Sequence, residues 1–168
     1  MVEFMIIACP RSGTTWATNW LNTEKTRCYH DPLNYTHYRD LDSLPTKKIL
    51  GIADTTLPWF PDWLNEHPAR KVILDRNLDE INESLARECG MPPIAPEMIR
   101  RLHRIEGLHV NWTELFINPE PIWKHLVDMP FDKERHETLV KMNVQNIHAK
   151  EPVDIKVATK IMRELWGF

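Results

Sequence analysis

Phe4-Met5-Ile6-Ile7-Ala8-Cys9-Pro10-Arg11-Ser12-Gly13-Thr14-Thr15-Trp16 reads as a buried strand that runs through a tight loop into a helix. The backbone N–H groups of such a loop converge, with the positive end of the following helix, on an anion. Arg11, Ser12, Thr14 and Thr15 add side-chain donors around Gly13. The segment is therefore expected to hold a nucleotide phosphate.

A nucleoside-triphosphatase loop of the form G-x-x-x-x-G-K-[ST] would place Gly at position 8 and Lys at position 14, where this chain has Ala8 and Thr14. The lysine that reaches the β- and γ-phosphates of ATP is missing, and the basic residue is Arg11. A second segment has the same plan. Ala69 to Asp75 is an apolar run entered through Arg70 and Lys71, and Arg76-Asn77-Leu78-Asp79-Glu80 opens a helix in which Asn77 is the N-cap and Glu80 completes a capping-box-like pair. Leu78, Ile81 and Leu85 fall on one face of that helix, suited to packing on a sheet. Arg76 at the strand end offers a fork of donors to a phosphate, and Ser84 follows about two helical turns on.

The order Pro-Arg-Ser-Gly-Thr-Thr-Trp at residues 10–16 resembles the 5′-phosphosulfate loop of sulfotransferases that use 3′-phosphoadenosine 5′-phosphosulfate (PAPS). Arg76 and Ser84 have the spacing of that family's 3′-phosphate site, an Arg at a strand end and a Ser eight residues on. The likeness extends more weakly over roughly the first 145 residues, through Cys28 to Leu33, Gly51 to Thr56, Leu108 to Leu115 and Phe131 to Arg135. It implies a small bacterial- or phage-like member of the family, with a three-layer P-loop-type α/β fold in one domain spanning residues 1–168. It also implies PAPS as donor and adenosine 3′,5′-bisphosphate (PAP) as product. Arg11, Ser12, Gly13, Thr14, Thr15 and Trp16 would bind the 5′ side of the nucleotide, Arg76 and Ser84 the 3′-phosphate. No metal is required in such a scheme, because arginines neutralise a donor less charged than a triphosphate. The acceptor would be a hydroxyl or amine on a small molecule, glycan or peptide.

Sulfuryl transfer also asks for a base, and the family's usual His after the second strand is replaced by Asp54-Thr55-Thr56. His30, Asp31 and Asp54 are the remaining candidates, His30 being the most natural at neutral pH by intrinsic pKa. Arg11 is assigned to the charge that develops on the leaving phosphate. Trp59, Phe60 and Trp63 follow Asp54 and are expected on the acceptor side, with residues 27–46 as a lid or acceptor loop. The family's late Arg-Lys-Gly loop has no counterpart, and Lys150, Lys156 and Lys160 lie in no such pattern. Two other classes stay open: a P-loop nucleotide kinase or NTPase using Mg-ATP, and a non-catalytic nucleotide-binding protein of the same fold.

Composition narrows the class without naming the acceptor. Lys and Arg number 21 against 24 Asp and Glu, and a net charge of −3 argues against broad binding to nucleic acid. No apolar run is long enough to span a bilayer, so no membrane anchor is expected and the cytoplasm is the expected compartment. The three cysteines, Cys9, Cys28 and Cys89, suit reduced thiols, and the eight histidines read as scattered on the surface rather than as a metal site.

Strands are expected at 3–8, 48–53, 70–75 and 107–111. Helices are expected at 14–23, 60–66, 78–88, 97–105, 119–128 and 132–142, with an irregular stretch at 27–46. This alternation implies a mainly parallel sheet with helices on both faces and a ligand beyond the carboxyl ends of the strands.

Overall fold

In the computed structural model, which describes residues 1–142 and 154–167, β1 (Val2–Ala8) is the central strand of a five-stranded, all-parallel sheet of order β2-β3-β1-β4-β5. The other strands are β2 (Thr26–His30), β3 (Ile49–Asp54), β4 (Arg70–Asp75) and β5 (Leu108–Asn111). The apolar run of β1 is what a strand covered on both faces needs. Phe4, Ile6 and Ala8 enter one core; Met5, Ile7 and Cys9 enter the other.

The first core is closed by α1 (Thr14–Leu21), α5 (Glu114–Ile117), α6 (Pro119–Leu126) and α7 (Lys133–Lys141), through Trp16, Trp20, Leu115, Trp123 and Leu126 among others. The second is closed by α2 (Pro61–Glu66), α3 (Leu78–Cys89), α4 (Pro96–Leu102), α8 (Ile155–Trp166) and the turns between β2 and β3. Helices on both faces of one parallel sheet make the three-layer α/β fold expected from the sequence. Among the described residues no helix is long and apolar enough to cross a membrane.

Two close approaches fix the sheet. A Cβ on Gly51 would lie 1.9 Å from the Phe4 ring, so β3 can carry Phe4 on its neighbour only with glycine there. Asn22, at the end of α1, accepts from Cys28 N (3.0 Å) and donates to Cys28 O (3.0 Å), which staples β2 to the helix that precedes it. Arg135 of α7 donates to the carbonyls of Asn19 (2.8 Å) and Asn22 (2.5 Å), satisfying α1's last turn.

Several expectations are corrected. Residues 27–46 are not an irregular lid: they begin with most of β2 and continue in two 3-10 turns whose Leu33, Tyr38 and Leu41 are buried. Only five residues of β2 pair, on one side, with β3, too short a run to stand out among Tyr, His and Asp. Phe60 is core, stacked on Tyr38 at 4.1 Å; Trp63 meets the same ring edge-on, and Trp59 packs against Trp166 of α8. His37, His67 and His136 are buried rather than on the surface. Each finds a partner: His37 Nε2 lies 3.0 Å from Glu164, His136 Nε2 lies 2.9 Å from the Leu115 carbonyl, and His67 Nδ1 accepts from Ala69 N at 3.1 Å.

Candidate functional site

The path of the chain decides where a ligand can sit. From β1 it leaves through α1 on one face toward β2; from β4 it leaves through α3 and α4 on the other face toward β5. Neighbouring strands whose continuations part to opposite faces leave a crevice between their carboxyl ends, the place where open α/β sheets bind ligands. Here the crevice is a cavity of about 630 Å³ whose walls include Arg11, Gly13, Thr14, Thr15, Trp16, His30, Asp31, Arg76 and Ser84.

The loop is built to leave donors open. Gly13 caps α1 with φ 89, a left-handed conformation that suits glycine, and a Cβ there would also lie 3.1 Å from Leu115 Cδ1. Gly13 has no side chain with which to cap this helix, whereas Asn77 caps α3 by accepting from Asp79 N (2.8 Å) and Glu80 N (3.4 Å). The first intrahelical bond of α1 runs from Ala17 N to Gly13 O at 2.9 Å, so the N–H groups ahead of it face the cavity end. Ser12 is fully buried at the foot of the loop and does not line the cavity, and its Oγ finds no hydrogen-bond partner among the described residues. Among the described residues, Arg11 (φ 65) and Asp31 (φ 43) are the non-glycine residues with positive φ, and both line this cavity. Backbone held in a sparsely populated region at one place is a feature of ligand sites.

The two phosphate motifs form one network. Arg11 Nε donates to Ser84 Oγ at 3.0 Å across 73 positions of sequence. Arg76 Nη1 donates to the Arg11 carbonyl, and Arg76 Nε reaches Glu80 at 3.3 Å. The Arg76 guanidinium also lies over the Trp112 ring, 4.3 Å from its centroid. Arg11 thus leans toward the Ser84 side of the cavity, rather than standing over the α1 end of the loop alone.

On the opposite wall, His30 ends β2 with its Nε2 at 3.3 Å from Thr14 Oγ1, 3.1 Å from Thr15 Oγ1 and 3.5 Å from Asp31 Oδ2. Asp31 is aimed by Thr55, which donates to its Oδ1 from both N (2.8 Å) and Oγ1 (3.1 Å). Asp54 has a different position. It is fully buried behind the cavity wall, accepting at Oδ1 from Thr56 N (2.6 Å) and Leu57 N (2.9 Å) and at Oδ2 from Leu33 N (3.1 Å). Its oxygens hold two loops together and are not presented to a ligand.

Burial, with the nearby Asp31 charge, pushes the Asp54 carboxyl up to about 7 against the pull of those three N–H donors. A raised folded-state pKa contributes stability that is fully present below the unfolded value of 3.8 and is lost as pH rises through about 7. Urea unfolding at pH 5 and pH 8 is expected to show this gain on acidification, and Asp54→Asn should remove that part of it. An equal pH response in the variant would contradict the assignment. Burial also pushes Cys9 and Cys28 up to about 12, which makes both thiols poor nucleophiles.

Sequence reasoning missed Thr55 and Trp112. Thr55 directly follows Asp54 at the end of β3, on the edge marked by Arg11 and Arg76, whereas Trp112 has no motif around it and is identified by its contact with Arg76. His103 and His109 converge on Asp75 at 3.2 Å each and form a polar cluster outside the cavity. Among the described residues no group of three or more His, Cys, Asp or Glu is placed to hold a metal ion. Lys156 and Lys160 are exposed on α8 and do not line the cavity, and Lys150 lies outside the described residues. No protein-family model matches the chain, and no curated protein matches it.

Proposed function

We propose that the chain is a sulfotransferase that moves the sulfuryl group of PAPS to a hydroxyl or amine acceptor and releases PAP. The observation that carries this reading is the single network of Arg11, Ser84 and Arg76 on one cavity wall, facing an uncapped helix start. Two anion-binding features side by side suit a nucleotide phosphorylated at both its 5′ and 3′ positions, and a simple triphosphate cradle has no use for the second. The residues fit such a donor: the start of α1 borders the cavity, Thr14 and Thr15 line it, and two guanidinium groups supply the countercharge.

In this reading the open N–H groups of α1 with Thr14 and Thr15 hold the 5′ phosphosulfate, and Arg76 with Ser84 holds the 3′-phosphate. When bound, PAPS supplies the sulfuryl group and a phosphate leaving group. Arg11, whose terminal amino groups remain after Nε is committed to Ser84, stabilises charge that develops in the transition state. His30 Nε2 is the atom that takes the acceptor's proton, and Asp31, held by Thr55, steadies the imidazolium that results. Asp54 has no part in the chemistry, since its oxygens are held by backbone N–H groups. The cytoplasm remains the compartment proposed for this reaction.

The test is incubation with PAPS and a broad acceptor panel, followed by mass spectrometry for products that gain one SO₃ group. Transfer is expected from the wild type, and His30→Ala should lower kcat by about a hundredfold or more while PAP affinity is kept. Phosphoryl transfer from Mg-ATP in the same panel would replace this reading with that of a nucleotide kinase. Tight PAP binding with no transfer to any acceptor would favour a non-catalytic nucleotide-binding protein.

A further inference from the structure

We infer that Trp112 is a positioning residue that fixes the Arg76 guanidinium for a nucleotide's 3′-phosphate, an inference that rests on the PAP-binding reading above. Arg76 is a long side chain with several rotatable bonds, and a phosphate site gains when that freedom is removed before the ligand arrives. Three contacts remove it here. The guanidinium lies over the Trp112 ring at 4.3 Å from the centroid, donates through Nη1 to the Arg11 carbonyl, and reaches Glu80 through Nε at 3.3 Å. Contact through an aromatic face leaves the in-plane N–H donors of a guanidinium for other partners, which a hydrogen-bonding neighbour in the same place would not.

The ring is itself held in place. Trp112 N donates to the Asp75 carbonyl at 2.9 Å, which ties the exit of β5 to the residue directly before Arg76. Phe116 meets the ring edge-on at 5.7 Å. On the loop side, a Cβ built on Gly13 would lie 3.9 Å from Trp112 Cε3, so the ring borders the cradle loop as well as Arg76. Trp112, Arg76 and Ser84 all line the cavity, with Arg76 joined to the Arg11 carbonyl and Ser84 Oγ to Arg11 Nε. An effect of Trp112 on binding should therefore appear only with ligands that carry a 3′-phosphate.

The experiment pairs calorimetric titration of PAP and of adenosine 5′-monophosphate, both in EDTA, with nitrogen-15 NMR of the Arg76 Nε–H group, on wild type, Trp112→Phe, Trp112→Leu and Arg76→Ala. Thermal unfolding confirms that each variant is folded. The wild-type Arg76 resonance is expected to carry a ring-current shift that Trp112→Phe largely keeps and Trp112→Leu loses. Trp112→Leu should weaken PAP about tenfold, leave the monophosphate unchanged, and be largely rescued in Trp112→Phe. An Arg76 resonance indifferent to Trp112→Leu, or equal losses for both nucleotides, would overturn the role of Trp112 alone. A wild type with the shifted resonance but no affinity for PAP would overturn the 3′-phosphate site and Trp112's part in it together.

Discussion

Arg76→Ala is expected to weaken PAP binding by about a hundredfold or more, on the order of 3 kcal/mol, while leaving the fold in place. The substitution removes the charge assigned to the 3′-phosphate and the donor that satisfies the Arg11 carbonyl, in a residue whose own φ is 65. Both losses fall on the site, because Arg76 packs over Trp112 at the cavity rim and not inside either core. Arg76→Lys keeps a charge but loses the planar fork and the extended contact with the ring, so it should fall between wild type and alanine. Calorimetry with PAP and with adenosine 5′-monophosphate separates the two effects: damage to the loop weakens both, and loss of the 3′ contact weakens PAP alone. A variant that binds PAP as tightly as wild type would remove Arg76 from the site.

Trp20→Ala carries the largest expected effect on stability, about 4 kcal/mol, which for a chain of this size lowers Tm by roughly 10 °C. Trp20 is only 1% exposed at the centre of an aromatic cluster. Its ring centroid lies 5.5 Å from Trp16, 5.2 Å from Trp123 and 6.4 Å from Phe131, so α1, α6 and the approach to α7 all meet on it. Truncation leaves a cavity that rings from three segments cannot all close. Thermal unfolding measures it, and Trp20→Phe, which retains much of the volume, should lose less. A Tm within about 2 °C of wild type for the alanine variant would mean that the cluster is far looser than its geometry.

The parts of the fold that could be read from sequence were those with their own local signal. β1 and β4 are apolar because they are covered on both faces, and α3 announces itself through Asn77, whose side chain caps it as expected. β2 had no such signal, since its pairing is supplied by β3 and its first turn back by Asn22. The same division runs through the site. The spacing of Arg76 and Ser84 was visible, and the structure joins Ser84 to Arg11 at 3.0 Å. Asp54 looked like a base because a carboxylate at a strand end is free in sequence. The N–H groups of Thr56 and Leu57 make it a local cap of the segment that follows, the other role open to an Asp there, and the fold adds Leu33 N from 21 positions earlier. Trp59 and Trp63 were placed by proximity in sequence to the ligand edge, but the 3-10 turn at Leu57–Trp59 carries them to the second core instead. Trp112 was the converse case: it stands after β5 with no motif around it, and its meaning comes from Arg76, 36 positions earlier in the sequence.

The central claim is that this cavity holds a nucleotide by two phosphates at once and without a metal ion. Titrating the wild-type protein in EDTA with PAP, and separately with adenosine 5′-monophosphate, tests it most directly. The account predicts that PAP binds without metal and at least about tenfold more tightly than the monophosphate, the difference being the contribution of Arg76 and Ser84. Equal affinity for the two nucleotides, or binding of ATP with magnesium in clear preference to PAP, would contradict it.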